Sequence, residues 1–166
     1  MTRLVQATTA ELEVRSVWVP LADGYLLLPN ALVAEVVGYS PPEPIDKAPD
    51  WLLGRSSWRG ENLPLISFER LIGRQLPTPG KRARIMVLYG LGDYVEQLPY
   101  YGLLALDTPR LLRASVKTLE PDPHLEAMPG IAQGALIGEG INQRPAWIPD
   151  VDYLAKMISQ AIKSSV

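Results

Sequence analysis

Apolar and polar positions alternate from Val14 to Leu21, where Val17 and Val19 are interleaved with Ser16 and Trp18. That period of two predicts a strand. Ala22-Asp23-Gly24 is a turn signal, and Tyr25 to Leu28 reads as the return strand of a first hairpin. Pro29-Asn30 opens Ala31 to Ala34, long enough for one helical turn, and Glu35 to Tyr39 is again β-like. Ser40 to Pro49 holds four prolines and is predicted as a surface loop, because proline has no N–H to give a ladder.

Trp51 to Gly73, WLLGRSSWRGENLPLISFERLIG, reads as strand, tight turn, strand and helix opening. Arg59-Gly60-Glu61-Asn62 supplies the turn, with Gly60 and Asn62 as the residues that tolerate positive φ. Leu63, Leu65 and Phe68 form an apolar run into Glu69-Arg70-Leu71-Ile72, and Gly73 is placed to stop the helix. Leu76 to Lys81 then looks like a linker. The apolar run Arg84 to Tyr89 is a strand, Gly90 to Gln97 a loop, and Tyr100 to Leu106 the partner strand. Asp107-Thr108-Pro109 is expected to begin a helical turn. Leu111 to Leu119 reads as β and Glu120 to Pro129 as a second proline-rich loop. Ile131 to Ile141 and Ala146 to Pro149 read as a last strand pair around Asn142-Gln143-Arg144.

From Val151 the period changes. Val151, Leu154, Met157, Ile158, Ala161 and Ile162 recur at three- and four-residue steps, predicting an amphipathic helix with Asp150 as N-cap and Asp152 in its first turn. Leu65-Ile66-Ser67-Phe68 can be laid over Ile148-Pro149-Asp150-Val151, since both read as strand end, polar cap and helix opening. The order of elements suggests two similar small β-barrels, each followed by a helix. The expected organisation is a mobile segment at residues 1–13 and one domain over residues 14–162. Its first barrel half spans about 14–75 and its second about 81–162.

Composition narrows the function. With 166 residues the chain can bury the core of one domain. The net charge of −2, without a basic stripe, argues against nucleic acid as a partner. The absence of cysteine removes disulfides and thiolate chemistry, and fits a cytoplasmic setting. Tyr25 to Tyr39, the most apolar window, is interrupted by Pro29, Asn30 and Glu35. It falls short of the roughly 20 apolar residues of a membrane span, so no direct membrane insertion is expected.

Catalytic chemistry finds little support. His124, the single histidine, lies in the loop EPDPHLEAMPG with only Asp122 nearby, and reads as a solvated loop residue. No nucleophile elbow, phosphate-binding loop or dinucleotide fingerprint occurs. Gly134, Gly138 and Gly140 sit among Leu136, Ile137 and Ile141, as at strand bulges or barrel corners. No cofactor or metal is implied. Trp51, Trp58, Trp147, Tyr94, Tyr100 and Tyr101 read mainly as core or barrel-rim residues, while Trp58, beside the turn, fits packing and an interface equally well. Arg59 is the sharpest single candidate, because an arginine there can form forked bonds to carboxylates and carbonyls. An alternative reading is a small-molecule-binding β-barrel with Trp58, Trp147 and the tyrosines lining its pocket.

The stretch from Trp51 to Gly73 resembles the signature of the CheW-like family, the adaptor domains of bacterial chemosensory arrays. Leu28-Pro29 through Val33-Ala34-Glu35-Val36 resembles the family's strand, short helical turn and following strand, and Gly138 to Met157 its terminal hairpin and helix. The resemblance implies a mainly β fold with short helices, made of two SH3-like five-stranded β-barrel subdomains and a C-terminal helix. It implies a non-enzymatic adaptor that bridges chemoreceptors (methyl-accepting chemotaxis proteins) to the regulatory domain of a CheA-type histidine kinase. It also implies a cytoplasmic location beside membrane receptor arrays. Arg59 aligns with the arginine of the family's Asn-Leu-Arg-Gly turn, and Glu35 and Val36 with a neighbouring strand. The implied partner-binding residues are therefore Arg59, Trp58, Gly60, Glu35 and Val36. Ser57-Trp58 replaces the usual Asn-Leu, and Ser67 replaces an aspartate that Asp150 keeps in the second half. The chain is most similar to the ChpC-like adaptors of pilus-linked systems controlling twitching motility.

Overall fold

The computed structural model describes residues 14–114, 119–121, 132–137 and 144–165. Strands β1 (Val14–Leu21) and β2 (Gly24–Pro29) form the first hairpin, and a 3-10 turn at Asn30–Leu32 leads into β3 (Val33–Gly38). β4 (Leu52–Trp58) and β5 (Glu61–Ile66) form the second hairpin, followed by α1 (Phe68–Leu71). β6 (Arg84–Tyr89) and β7 (Tyr100–Ala105) flank a loop that holds a 3-10 turn at Gly92–Tyr94. β8 (Arg110–Ala114), β9 (Leu119–Pro121), β10 (Ala132–Ile137), β11 (Arg144–Pro149) and α2 (Val151–Ser164) complete the order.

The strands make two sheets. One has six strands in the order β8-β1-β2-β11-β10-β9, the other five in the order β3-β6-β7-β5-β4. Each sheet takes strands from both sides of the proline-rich linker. β1 and β2 join β11, which runs parallel to β2 through Tyr25↔Ala146 and Leu26↔Trp147. β6 and β7 join β5, which runs parallel to β7 through Leu65↔Gly102 and Ile66↔Leu103. The hairpins β1–β2 and β6–β7 are thus exchanged between the two sheets, and all other pairings are antiparallel. Relative to five-strand barrels, the six-strand count reflects β8 and β9 lying at opposite edges of that sheet.

The five-stranded sheet curls until its edges approach. β3 and β4 are its outermost strands, yet Glu43, just beyond β3, exchanges backbone hydrogen bonds with Arg55 of β4 at 2.9 and 2.8 Å. Gly54 makes this closure possible: a Cβ there would run into the Glu43 carbonyl, and its φ of 145° suits glycine.

Both faces of several strands are buried, which is why their sequences are apolar without alternation. The largest cluster lies between the sheets and includes Val19, Leu26, Leu28, Ile66, Phe68, Met86, Leu88, Leu103, Trp147 and Ile158. Leu63, Leu65, Ile85, Val87 and Leu104 instead pack inside the curled five-stranded sheet. Leu27 and Ala146, with Trp18, Tyr25, Leu112 and Ile148, fill the outer side of the six-stranded one. Tyr101 is buried in the seam cluster, and burial, with some repulsion from Asp152, pushes its phenol far above the usual range.

The strand-to-helix junctions match. Ser67 Oγ accepts the N–H of Arg70 at 3.2 Å, and Asp150 Oδ1 accepts that of Tyr153 at 3.1 Å. Leu154, Ala155 and Ile158 of α2 are buried, and Val151, Met157, Ala161 and Ile162 pack against the same core.

Several local expectations give way: Glu120 and Pro121 belong to β9 and not to a loop, and no bulge interrupts the β10–β11 ladder at Gly134. Asp107-Thr108-Pro109 does not start a helix. Asp107 turns back to accept Thr108 N–H at 2.6 Å and Arg82 Nε at 2.9 Å, bonds that hold its pKa low. The chain then enters β8, where Arg110 already pairs with Trp18 of β1, so strand pairing outweighs the local cap. Asn62 does not carry the positive φ of the β4–β5 turn; Arg59 does. His124, Gly138 and Gly140 lie outside the described residues.

Candidate functional site

The β4–β5 turn has two residues, Arg59 and Gly60, between the paired Trp58 and Glu61. Their φ angles are 48° and 79°. Positive φ at both central positions defines the type I′ turn that matches the twist of a two-residue hairpin. The first of these positions favours asparagine, aspartate or glycine. Arginine there costs on the order of 1 kcal/mol of backbone strain. The turn thus holds a residue that local stability would not select.

The surroundings of Arg59 explain its orientation. Its guanidinium carbon lies 5.1 Å from the centre of the Trp58 ring, within cation–π range. Its Nη2 lies 3.2 Å from Glu35 Oε2, and Trp58 Nε1 donates to the same oxygen at 2.7 Å. Glu35 stands on β3 and Trp58 on β4, so this shared carboxylate also ties together the two edges of the curled sheet. The arginine side chain remains 70% exposed, which leaves most of its donors in solvent. An exposed pair of this kind adds at most about 1 kcal/mol to stability. Its main effect is to orient the guanidinium.

The cluster extends through rings. Trp58 packs on Tyr100 with centroids 4.9 Å apart, and Tyr100 on Tyr89 at 5.6 Å. Trp58 and Tyr100 also pack against the interior cluster of the five-stranded sheet, while Tyr89 is 43% exposed. Trp58 therefore combines packing with partial exposure. Tyr89 and Tyr100 join the site through β6–β7, where they are direct cross-strand partners. Arg84 to Tyr89 and Tyr100 to Leu106 read from sequence as partner strands, which end and begin at these two tyrosines.

Arg59, Trp58, Gly60 and Glu35 come together at one end of the curled sheet. Val36 does not point with them. A bulge between Val33 and Glu35 resets the alternation of β3, after which Val37 packs inward and Val36 is 42% exposed. Val36 thus presents an apolar side chain on the opposite face of an edge strand. Trp147 and Tyr101, candidate pocket residues by sequence, are buried in the seam. Among the described residues no group of histidine, cysteine, aspartate and glutamate is arranged to hold a metal ion.

This is a two-sheet, mainly β domain whose distinctive surface feature is a strained arginine turn braced by a carboxylate and an aromatic ladder. The sequence profile of the CheW-like domain matches residues 15–159. The chain belongs to the CheW-like family, the adaptor and scaffold class of chemotaxis signalling. A search of curated proteins finds no match. Among solved structures, the fold is similar to the crystal structure of the scaffolding protein TtCheW from Thermoanaerobacter tengcongensis. The TM-score is 0.67 at 20% identity, over 86% of this chain and 92% of the other. Among the described residues, no helix is long and apolar enough to cross a membrane.

Proposed function

We propose that this chain is a non-enzymatic adaptor that couples chemoreceptors of the methyl-accepting type to the regulatory domain of a CheA-type histidine kinase. It works in the cytoplasm, beside membrane receptor arrays, in chemotaxis or in twitching motility through a ChpC-like system. The observation that supports this reading best is the Arg59 turn: a strained, exposed arginine held in one orientation by Glu35 and Trp58. Strain kept at an exposed turn points to selection for contact. The guanidinium suits carboxylates and carbonyls of a partner, and Trp58 with Tyr89 supplies apolar area beside it.

The test is a pull-down with tagged protein, run beside Arg59→Glu. Recovery of a chemoreceptor or CheA-type kinase with the parent protein, reduced at least tenfold with the variant, is the expected result. Calorimetry with the recovered partner and circular dichroism of both proteins separate contact from misfolding. Unchanged affinity with an unchanged spectrum would remove Arg59 from the interface.

A further inference from the structure

The seam between the sheets contains a carboxyl group that the adaptor surface does not use. Glu69, in α1, is 2% exposed. Its Oε2 accepts the backbone N–H of Ala22 at 3.3 Å. Ala22 lies in the β1–β2 turn, so this bond joins a helix that follows the five-stranded sheet to a hairpin of the six-stranded one. Oε1 is shut off from solvent and makes no hydrogen bond of good geometry among the described residues.

The nearby cations are engaged elsewhere. Arg74 reaches Asp23 Oδ2 at 3.6 Å and lies 4.7 Å from the centre of the Trp147 ring. Arg70, on the same helix as Glu69, donates to the Asp50 carbonyl at 3.0 Å. Asp23, next to Ala22, adds repulsion. An ionised carboxylate in this position would be buried with a single long bond from across the seam. Burial pushes the Glu69 pKa above the ordinary glutamate value. The N–H groups of Glu69 and Ala22 and the Ser67 hydroxyl offset this only in part, and Asp23 adds to the rise.

We propose that Glu69 is a proton-operated latch between the two sheets. Protonated, it sits in the seam with Oε2 on Ala22 and keeps α1 seated against the β1–β2 turn. Ionised, Oε2 accepts more strongly from Ala22, but the larger cost of burying the charge draws water toward Oε1 and unseats α1 from the turn. Because the folded-state pKa is raised, the contribution is fully present below the unfolded-state value. It is lost as pH rises through the folded-state value. The latch rests on the seam alone and does not depend on the adaptor reading.

The experiment compares denaturant unfolding of the full chain with that of Glu69→Gln from about pH 5 to about pH 8. All other titrating groups are common to the two proteins, so their difference isolates position 69. The ratio of folding constants, variant over parent, is expected to rise at least several-fold across this range. Amide exchange at Ala22, corrected for its intrinsic pH dependence, should lose protection on going to neutral pH in the parent and not in the variant. A ratio independent of pH overturns the latch. Should Glu69→Gln fail to fold, carbon-detected titration of Glu69 in the parent decides. An ordinary glutamate midpoint overturns the proposal. A raised midpoint coinciding with loss of Ala22 protection supports it.

Discussion

The units β4–β5–α1 and β10–β11–α2 share one plan, yet the first ends in a helix of four residues and the second in one of fourteen. In each, the second hairpin strand runs parallel to a strand of another hairpin, then a polar side chain caps the helix. α1 has no length to stabilise itself, since an isolated helix that short does not form in water. Phe68, Glu69 and Leu71 are all buried, so the core holds the turn in shape. α2 has an exposed face, Asp152 near its start and Lys163 near its end, so propensity and dipole support what burial begins. A shared local pattern thus specifies a shared junction, while helix length depends on the residues beyond that junction. Gly73, at φ 76°, ends the first, and no glycine or proline interrupts the second.

Removing residues 151–166 should have the largest effect. It uncovers the apolar surface now packed against Leu154, Ala155 and Ile158, and the truncated chain is expected to aggregate. A soluble, monomeric truncation by light scattering would break the view that α2 completes the core. Single large-to-small changes come next. Phe68→Ala should cost about 3–5 kcal/mol in denaturant unfolding, and Leu154→Ala about 2–5 kcal/mol. Phe68 is expected to lie above Leu154, because α1 has only its buried side chains to hold it. The caps rank third, at about 0.5–2 kcal/mol for Ser67→Ala and for Asp150→Ala. Ser67 is fully buried and Asp150 exposed, so water can replace the second cap more readily, and Ser67 should be the costlier loss. The smallest effect is at the turn. Arg59→Gly should leave stability unchanged or raise it by up to about 1 kcal/mol, because relief of positive φ offsets the lost ion pair. A loss above about 1 kcal/mol would mean that the turn is not strained, and would weaken the argument for contact.

Much of the fold was legible locally. β1 and β6 span the residues their patterns predict, and the α2 stripe is the face that packs. Asp150 and Ser67 were readable as caps because their side chains act within three residues. The Asp107 turn was not, because a strand partner far along the chain decided it. The exchange of hairpins between sheets was illegible for the same reason: apolar runs buried on both faces carry no sign of which neighbour they choose. At the site, Arg59-Gly60 was visible as a turn, but local preference favoured Asn62 for the strained φ. The Glu35–Trp58 bond depends on sheet curvature, which has no local signature. Val36 was adjacent in sequence, and only the bulge at Ala34 determined which way it faces.

The parallel pairing of β2 with β11 has a consequence for synthesis. When β1–β2 leaves the ribosome, the strand that must lie against Leu26, at Arg144–Pro149, has still to be made. The nascent chain therefore carries an open apolar hairpin edge until β11 emerges, and the six-stranded sheet can close only then. Protection of that hairpin by a ribosome-associated chaperone would matter more for this chain than for one whose sheets form in its order of synthesis.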